Sequence, residues 1–128
     1  MQVLKTETPN IKDRIDQFEG SIFLNVGKQI QRISLKSIEY IKGYGDYMKV
    51  KCKEKSHTVH ITMKNLQKVL PSSDFYRVHK SHLINLKHIR QIHKSDGGEV
   101  ELSDGCRVPI SQRKKEEFLQ RVDGLGLQ

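Results

Sequence analysis

The sequence predicts a mostly β domain of short antiparallel strands, with one small mid-chain helix and one C-terminal helix. Three observations carry that expectation. Apolar and polar residues alternate at a period of two over several short stretches. Turn-forming residues separate those stretches, as at Gly27-Lys28, Ser95-Asp96-Gly97-Gly98 and Ser103-Asp104-Gly105. After Gly20, only Met63 to Leu70 and the stretch after Ser111 change to a helical period.

Each element follows in turn. Over residues 1–19, Pro9 after Thr8 suits a first helical position, and Ile11, Ile15 and Phe18 repeat at helical spacing. A linker or short helix is expected there. Ile22, Leu24 and Val26 alternate as a first strand, and Ile30 to Leu35 returns as a second. Ile38 to Lys42 is a third, followed by a loop through Gly43, Tyr44, Gly45 and Asp46. Tyr47 to Lys53 is the clearest strand: Met48, Val50 and Cys52 face one way, and Tyr47, Lys49, Lys51 and Lys53 the other. Glu54-Lys55-Ser56 turns the chain into His57 to Thr62, with Val59 and Ile61 inward. Thr62 then caps a helix whose packed side is Met63, Leu66, Val69 and Leu70, and Pro71 stops it. Phe75 to His93 mixes strand and irregular character. Glu99 to Leu102 is a short strand between two turn signals, and Cys106 to Ile110 is the last. Pro109 marks that last strand as an edge or a strand end. Ser111 is expected to cap a final helix through Val122, packed by Phe118, Leu119 and Val122. Phe23, Phe75 and Phe118 are read as core.

With 128 residues the chain fits one domain, placed at 20–123, with a tail at 124–128. No run approaches the roughly 20 apolar residues of a membrane span, and the start lacks the apolar stretch of a signal peptide. A cytoplasmic protein is the expectation. Cys52 and Cys106 both fall on inward strand positions and read as buried free thiols.

Twenty-three Lys and Arg against fifteen Asp and Glu leave a formal charge of +8, and the distribution tells more than the sum. Between Tyr76 and Ser95 stand Arg77, Lys80, Lys87, Arg90 and Lys94 with four histidines and no carboxylate, which reads as an uncompensated patch. A merely solvated surface intersperses the two signs. A second cluster, Arg113-Lys114-Lys115, opens the final helix, where cations oppose the helix dipole; that placement points to a purpose other than local stability, an ordinary solvated helix face being the alternative. Phosphates or guanine edges would use both clusters.

Other chemistry finds little support. His57 and His60 are separated by an odd number of residues, so a strand sends their rings to opposite faces. His79 and His82 could share a metal only in a helical turn. No bound metal or cofactor is expected. The sequence holds no phosphate-cradling glycine loop, nucleophile elbow or paired carboxylates, so an enzyme is not expected either.

Three strings then become recognisable. DFYRVHKSHLINLKHI (Asp74 to Ile89) resembles the LytTR signature, roughly F-x-R-V-H-R/K-S-Y/F-I/L-V-N-x-x-x-I. IEYIKGYGDYMKV (Ile38 to Val50) resembles that family's strand-loop-strand around YIEA-x-G-x-Y. LSDGCRVPISQRKKEEF (Leu102 to Phe118) resembles its closing L-x-DG-x-x-IPVSRR-x-x-x-x-F. The resemblance implies an elongated domain of several small antiparallel β-sheets from a bacterial transcription regulator. It implies loops, not a recognition helix, set into successive major grooves of double-stranded DNA.

Carried over residue by residue, the resemblance implies three contact segments. Gly43, Asp46 and Tyr47 form the first. His79, Lys80 and Ser81 form the second. Ser111, Gln112 and Arg113 form the third, with Lys114 beside them and Arg113 placed to read a base. Gln112 stands where many members carry Arg, and His82 stands where an aromatic is usual. Arg77 and Asn85 match the family, and each is open to a DNA-contacting or a structural role. The resemblance further implies paired direct-repeat elements and an upstream receiver domain of a two-component system, or a dimer on DNA. The competing readings are an RNA-binding or non-specific nucleic-acid module, disfavoured by scattered aromatics, and a protein-interaction module with a basic face.

Overall fold

The computed structural model describes residues 20–95 and 97–125. The helix or linker expected before Gly20, the turn residue Asp96 and the last three tail residues lie outside them. Ten strands form three antiparallel sheets. β1 (Ser21–Val26) and β2 (Gln29–Ser34) make a hairpin. β3 (Ile38–Tyr44), β4 (Tyr47–Cys52), β5 (Ser56–Val59), β6 (Phe75–His79) and β7 (His82–Asn85) make a five-stranded sheet in the order β5-β4-β3-β7-β6. β8 (Ile89–His93), β9 (Glu99–Leu102) and β10 (Arg107–Pro109) make a three-stranded sheet. Helix α1 is Met63–Val69 and α2 is Lys115–Asp123.

The five-stranded sheet is the middle layer. Alternation on its strands sends Phe75 and Leu83 to one face and Tyr76, Val78 and Ile84 to the other. On the first face Ile22, Leu24 and Ile33 of the hairpin and Met63 and Leu66 of α1 close a core over Ile41, Met48 and Val50. On the second face Val100, Leu102, Val108 and Phe118 close another. All four residues of β7 are buried, as a strand covered on both sides requires.

Local signals explain the joints. The Thr62 hydroxyl accepts from the Asn65 amide at 3.0 Å, so the expected helix cap forms. Asn85 is 2 % exposed. Its amide donates to the Leu35 and Ile38 carbonyls at 3.4 and 2.8 Å, and its oxygen accepts from the Lys87 amide at 2.9 Å. Its role is therefore structural: it satisfies buried backbone across the sheet. Pro109 ends β10, an edge strand, where its missing N–H is harmless.

Several expectations are corrected. Phe23 is 45 % exposed and lies outside the core. It pairs with Arg32 across the hairpin, on the side turned from the sheet. Gly43 and Tyr44 belong to β3, and the loop shrinks to a two-residue turn at Gly45-Asp46, where Gly45 has φ +65. The last strand starts at Arg107 and leaves Cys106 only half-buried, whereas Cys52 is buried. The Ser111 side chain does not cap α2: a 3-10 turn over Gln112–Lys114 comes first.

Candidate nucleic-acid interface

The β6–β7 turn is two residues long, Lys80-Ser81, and three interactions fix its shape. The Ser81 amide donates to His79 Nδ1 at 3.1 Å. Arg77 Nη2 donates to the Lys80 carbonyl at 2.7 Å, and its Nη1 donates to Gln67 at 3.3 Å. Arg77 is half-buried and its Nε lacks a partner among the described residues. The guanidinium thus holds the turn that carries Lys80.

The other two segments are bonded to this turn. The Gly43 amide donates to the Ser81 carbonyl at 2.9 Å, while the Ser111 amide donates to the Val78 carbonyl at 2.7 Å. A Cβ on Gly43 would sit 3.4 Å from Met48 Cε, an ordinary contact with the end of a flexible side chain. Segments more than 30 residues apart in sequence share one framework as a result.

Arg77, His79, Lys80, Ser111, Arg113 and Lys114 line one cavity of about 500 Å³. Lys80 and Arg113 are exposed, and among the described residues no carboxylate pairs with either, nor with Arg77 or Lys114. Lys114 extends over the Tyr76 ring, its Nζ 5.6 Å from the centroid, so its charge is held in place. The Tyr76 hydroxyl donates to Glu117 at 2.6 Å, and burial, then that bond, pushes its pKa well above the ordinary range. Four cations around one concavity whose lining holds no carboxylate make a site for an anion.

His82 is buried at the start of β7, its ring 5.3 Å from that of His79. It fills the packing place implied for an aromatic. Burial, then the neighbouring His79 and Lys42, push its pKa down to about 4, so the ring is neutral beside the cationic cavity.

The wider patch does not survive intact. Lys87 pairs with Asp74 at 3.7 Å, and Arg90 pairs with Glu101 at 3.7 Å. Lys115 donates to the Lys94 carbonyl at 3.0 Å, a tie within the protein. Lys51 is no freely solvated lysine either: it lies 4.0 Å from buried Glu39 and 3.7 Å from Asp104. Those acids come from distant sequence, so the charge run alone could not reveal the pairing.

Of the first segment, Asp46 is exposed in the turn, and Tyr47 is half-buried. Neither lines the cavity; both sit on the adjoining hairpin. Gln112 is exposed beside Arg113. The aromatic residues are not all scattered. Tyr44 and Tyr47 face each other across the turn, with rings stacked at 5.8 Å and 20°, and Lys42 lies over Tyr44 at 5.5 Å. Sequence reasoning missed Lys42 and Tyr44. The signal was present: two tyrosines flanking a glycine-containing two-residue turn become direct cross-strand neighbours.

Known proteins resemble this chain in sequence and in fold. The family profile of the LytTr DNA-binding domain matches residues 28–123. The sensory transduction protein LytT of Bacillus subtilis is 33% identical over 102 residues, covering 78% of this chain and 42% of that protein. LytT of Bacillus anthracis is 28% identical over 97 residues, covering 74% and 39%. The chain thus spans well under half the length of these relatives. A solved LytTr DNA-binding domain from Bacillus cereus has the same fold, at a TM-score of 0.71 and 22% identity, covering 84% of this chain and 98% of that one. The signature strings, the three-sheet fold and the family match agree, and the chain belongs to the LytTR family of DNA-binding domains.

Proposed function

We propose that this domain binds duplex DNA sequence-specifically, as the DNA-reading part of a bacterial transcription regulator in a two-component system. The observation that carries the proposal is the single cavity shared by Arg77, Lys80, Arg113 and Lys114, without a paired carboxylate. The turns at Gly45-Asp46, Lys80-Ser81 and Gln112-Arg113 enter major grooves, where base identity is exposed. Arg113 reads a base, Lys80 and Lys114 meet phosphate or base edges, and Gln112, Asp46, Tyr47, His79 and Ser111 flank them. Arg77 contributes by holding the Lys80 turn. The family resemblance adds, as the partner that governs binding, an upstream receiver domain or a second copy of this domain on the DNA.

Two such copies read a direct repeat spaced about one helical turn apart on one face of the duplex. Footprinting with excess mixed-sequence competitor tests this. A paired footprint on one face supports the proposal, whereas equal affinity for scrambled duplex or for single strands sinks it.

The contact assignment has its own test. Replacing Arg113 with Ala should weaken the preferred site by about 1–3 kcal/mol and relax sequence choice. Lys80→Ala should weaken binding by a similar amount, with a smaller salt slope. A folded Arg113→Ala domain that binds as tightly and as selectively as the parent removes the third segment from the interface.

A further inference from the structure

We infer that Tyr44 is a specificity-determining contact that recognises the C5-methyl of a thymine. The inference rests on the proposed function, which assigns no role to this residue.

Its position comes from strand register. β3 and β7 are antiparallel neighbours, with Lys42 opposite His82. Tyr44, just beyond Lys42, therefore emerges at the same end of the sheet as Lys80, just before His82. The bond between the Gly43 amide and the Ser81 carbonyl, 2.9 Å long, ties the two turns together there. Tyr44 thus lies at the end of the sheet that carries the cationic cavity and stands beside the hairpin turn.

The side chain is built to present an apolar surface. Tyr44 is 40 % exposed, while most other aromatic rings in the domain are buried or half-buried. An exposed ring is ordinarily mobile, but this one is stacked on Tyr47, which in turn lies 5.9 Å from His60. Lys42 adds a cation at 5.5 Å from the Tyr44 centroid. A ring oriented in advance gives up little conformational entropy on contact. Lys42 and Lys49, opposite each other on the same face, pair with no carboxylate among the described residues. Their charge draws the ring toward phosphate-lined grooves.

The partner follows from the chemistry of the major groove. Its floor consists of hydrogen-bond donors and acceptors, and the thymine methyl is its one apolar group. A held aromatic surface meets that group favourably and gains nothing from the polar edge of cytosine. Stacking on unpaired bases would need a ring face open to a base. Here Tyr47 already occupies a face of Tyr44, which favours contact with a duplex by the remaining ring surface.

The experiment first selects a preferred duplex from a randomised pool with the unmodified chain. Each thymine in it is then replaced singly by deoxyuridine, which removes only the methyl. Affinity should fall about fourfold at one or two positions, the worth of one buried methyl. Tyr44→Ala should bind the thymine duplex about tenfold more weakly and lose its response at those positions. Tyr44→Phe should keep the response. Thymine-independent binding by the unmodified chain overturns the inference, as does a Tyr44→Ala chain that still discriminates. If Arg113→Ala loses selectivity while Tyr44→Ala does not, the proposed function stands and this inference falls. If the unmodified chain selects no duplex at all, both fall.

Discussion

Replacing Phe118 with Ala should lower unfolding free energy by about 3–5 kcal/mol and weaken DNA binding with it. Phe118 is fully buried and is the largest such side chain in the domain, and its ring lies 5.4 Å from that of Tyr76. It is the residue by which α2 is anchored over the second core. Truncation leaves a cavity between α2 and the three-stranded sheet, and the surroundings only partly collapse into it. A domain of this size is stable by only about 5–15 kcal/mol, so the loss is a large share of the total. Function follows because the 3-10 turn carrying Arg113 runs directly into α2, and Lys114 rests on Tyr76. Urea unfolding measures the stability change, and titration of duplex at a temperature where the variant is folded measures the binding change. A variant within about 1 kcal/mol of the parent would show that α2 contributes little to the core.

Stability should also fall as the solution is acidified from about pH 6.5 toward pH 4, and His82 is the main cause. Above its ordinary value of 6.5 the imidazole is neutral in both the folded and the unfolded chain, so it adds no pH dependence. Below that value the unfolded chain takes up a proton, while burial, then His79 and Lys42, hold the folded group at about 4. The unfolded state then binds more protons, and folding loses up to about 3 kcal/mol across that window. His57 acts in the same direction, its pKa lowered by burial and then by Lys55. Glu101 adds a loss at lower pH. The His93 hydrogen bond outweighs the desolvation cost and, with smaller help from Arg90 and Arg107, holds its carboxyl below the ordinary 4.5. Replacing His82 with Phe should flatten most of the dependence between about pH 6.5 and pH 4 and raise acid stability. Denaturation midpoints at a series of pH values decide the matter: an unchanged slope in His82→Phe would acquit His82.

Much of the fold could be read from residue order because it depends on local chemistry. Alternation in Met48, Val50 and Cys52 announced the inward face of β4, and all three are buried. Thr62 and Pro71 marked the ends of α1, and glycine-containing turns marked the strand breaks. The signature strings led to the family. Local reading failed where long-range partners decide. Phe23 looked like core because apolar residues usually are, yet register places it on the outer side of the hairpin, opposite Arg32. Lys87 and Arg90 looked unpaired because Asp74 and Glu101 belong to other elements. Tyr44 looked like part of a loose loop because Gly43 to Asp46 reads as one flexible stretch, although the Gly45-Asp46 turn signal lies within it.

The sequence by itself therefore determined the class of fold, the family and the cationic residues at issue, since these rest on periodicity, turn chemistry and motif spacing. Only the tertiary structure decided which cations are available. Salt bridges withdraw Lys87, Arg90 and Lys51, while backbone bonds from Gly43 to Ser81 and from Ser111 to Val78 gather Arg77, Lys80, Arg113 and Lys114 at one end of the sheet. The physical reason is that charge compensation acts over a few ångströms of space whatever the separation along the chain, and only folding sets that distance.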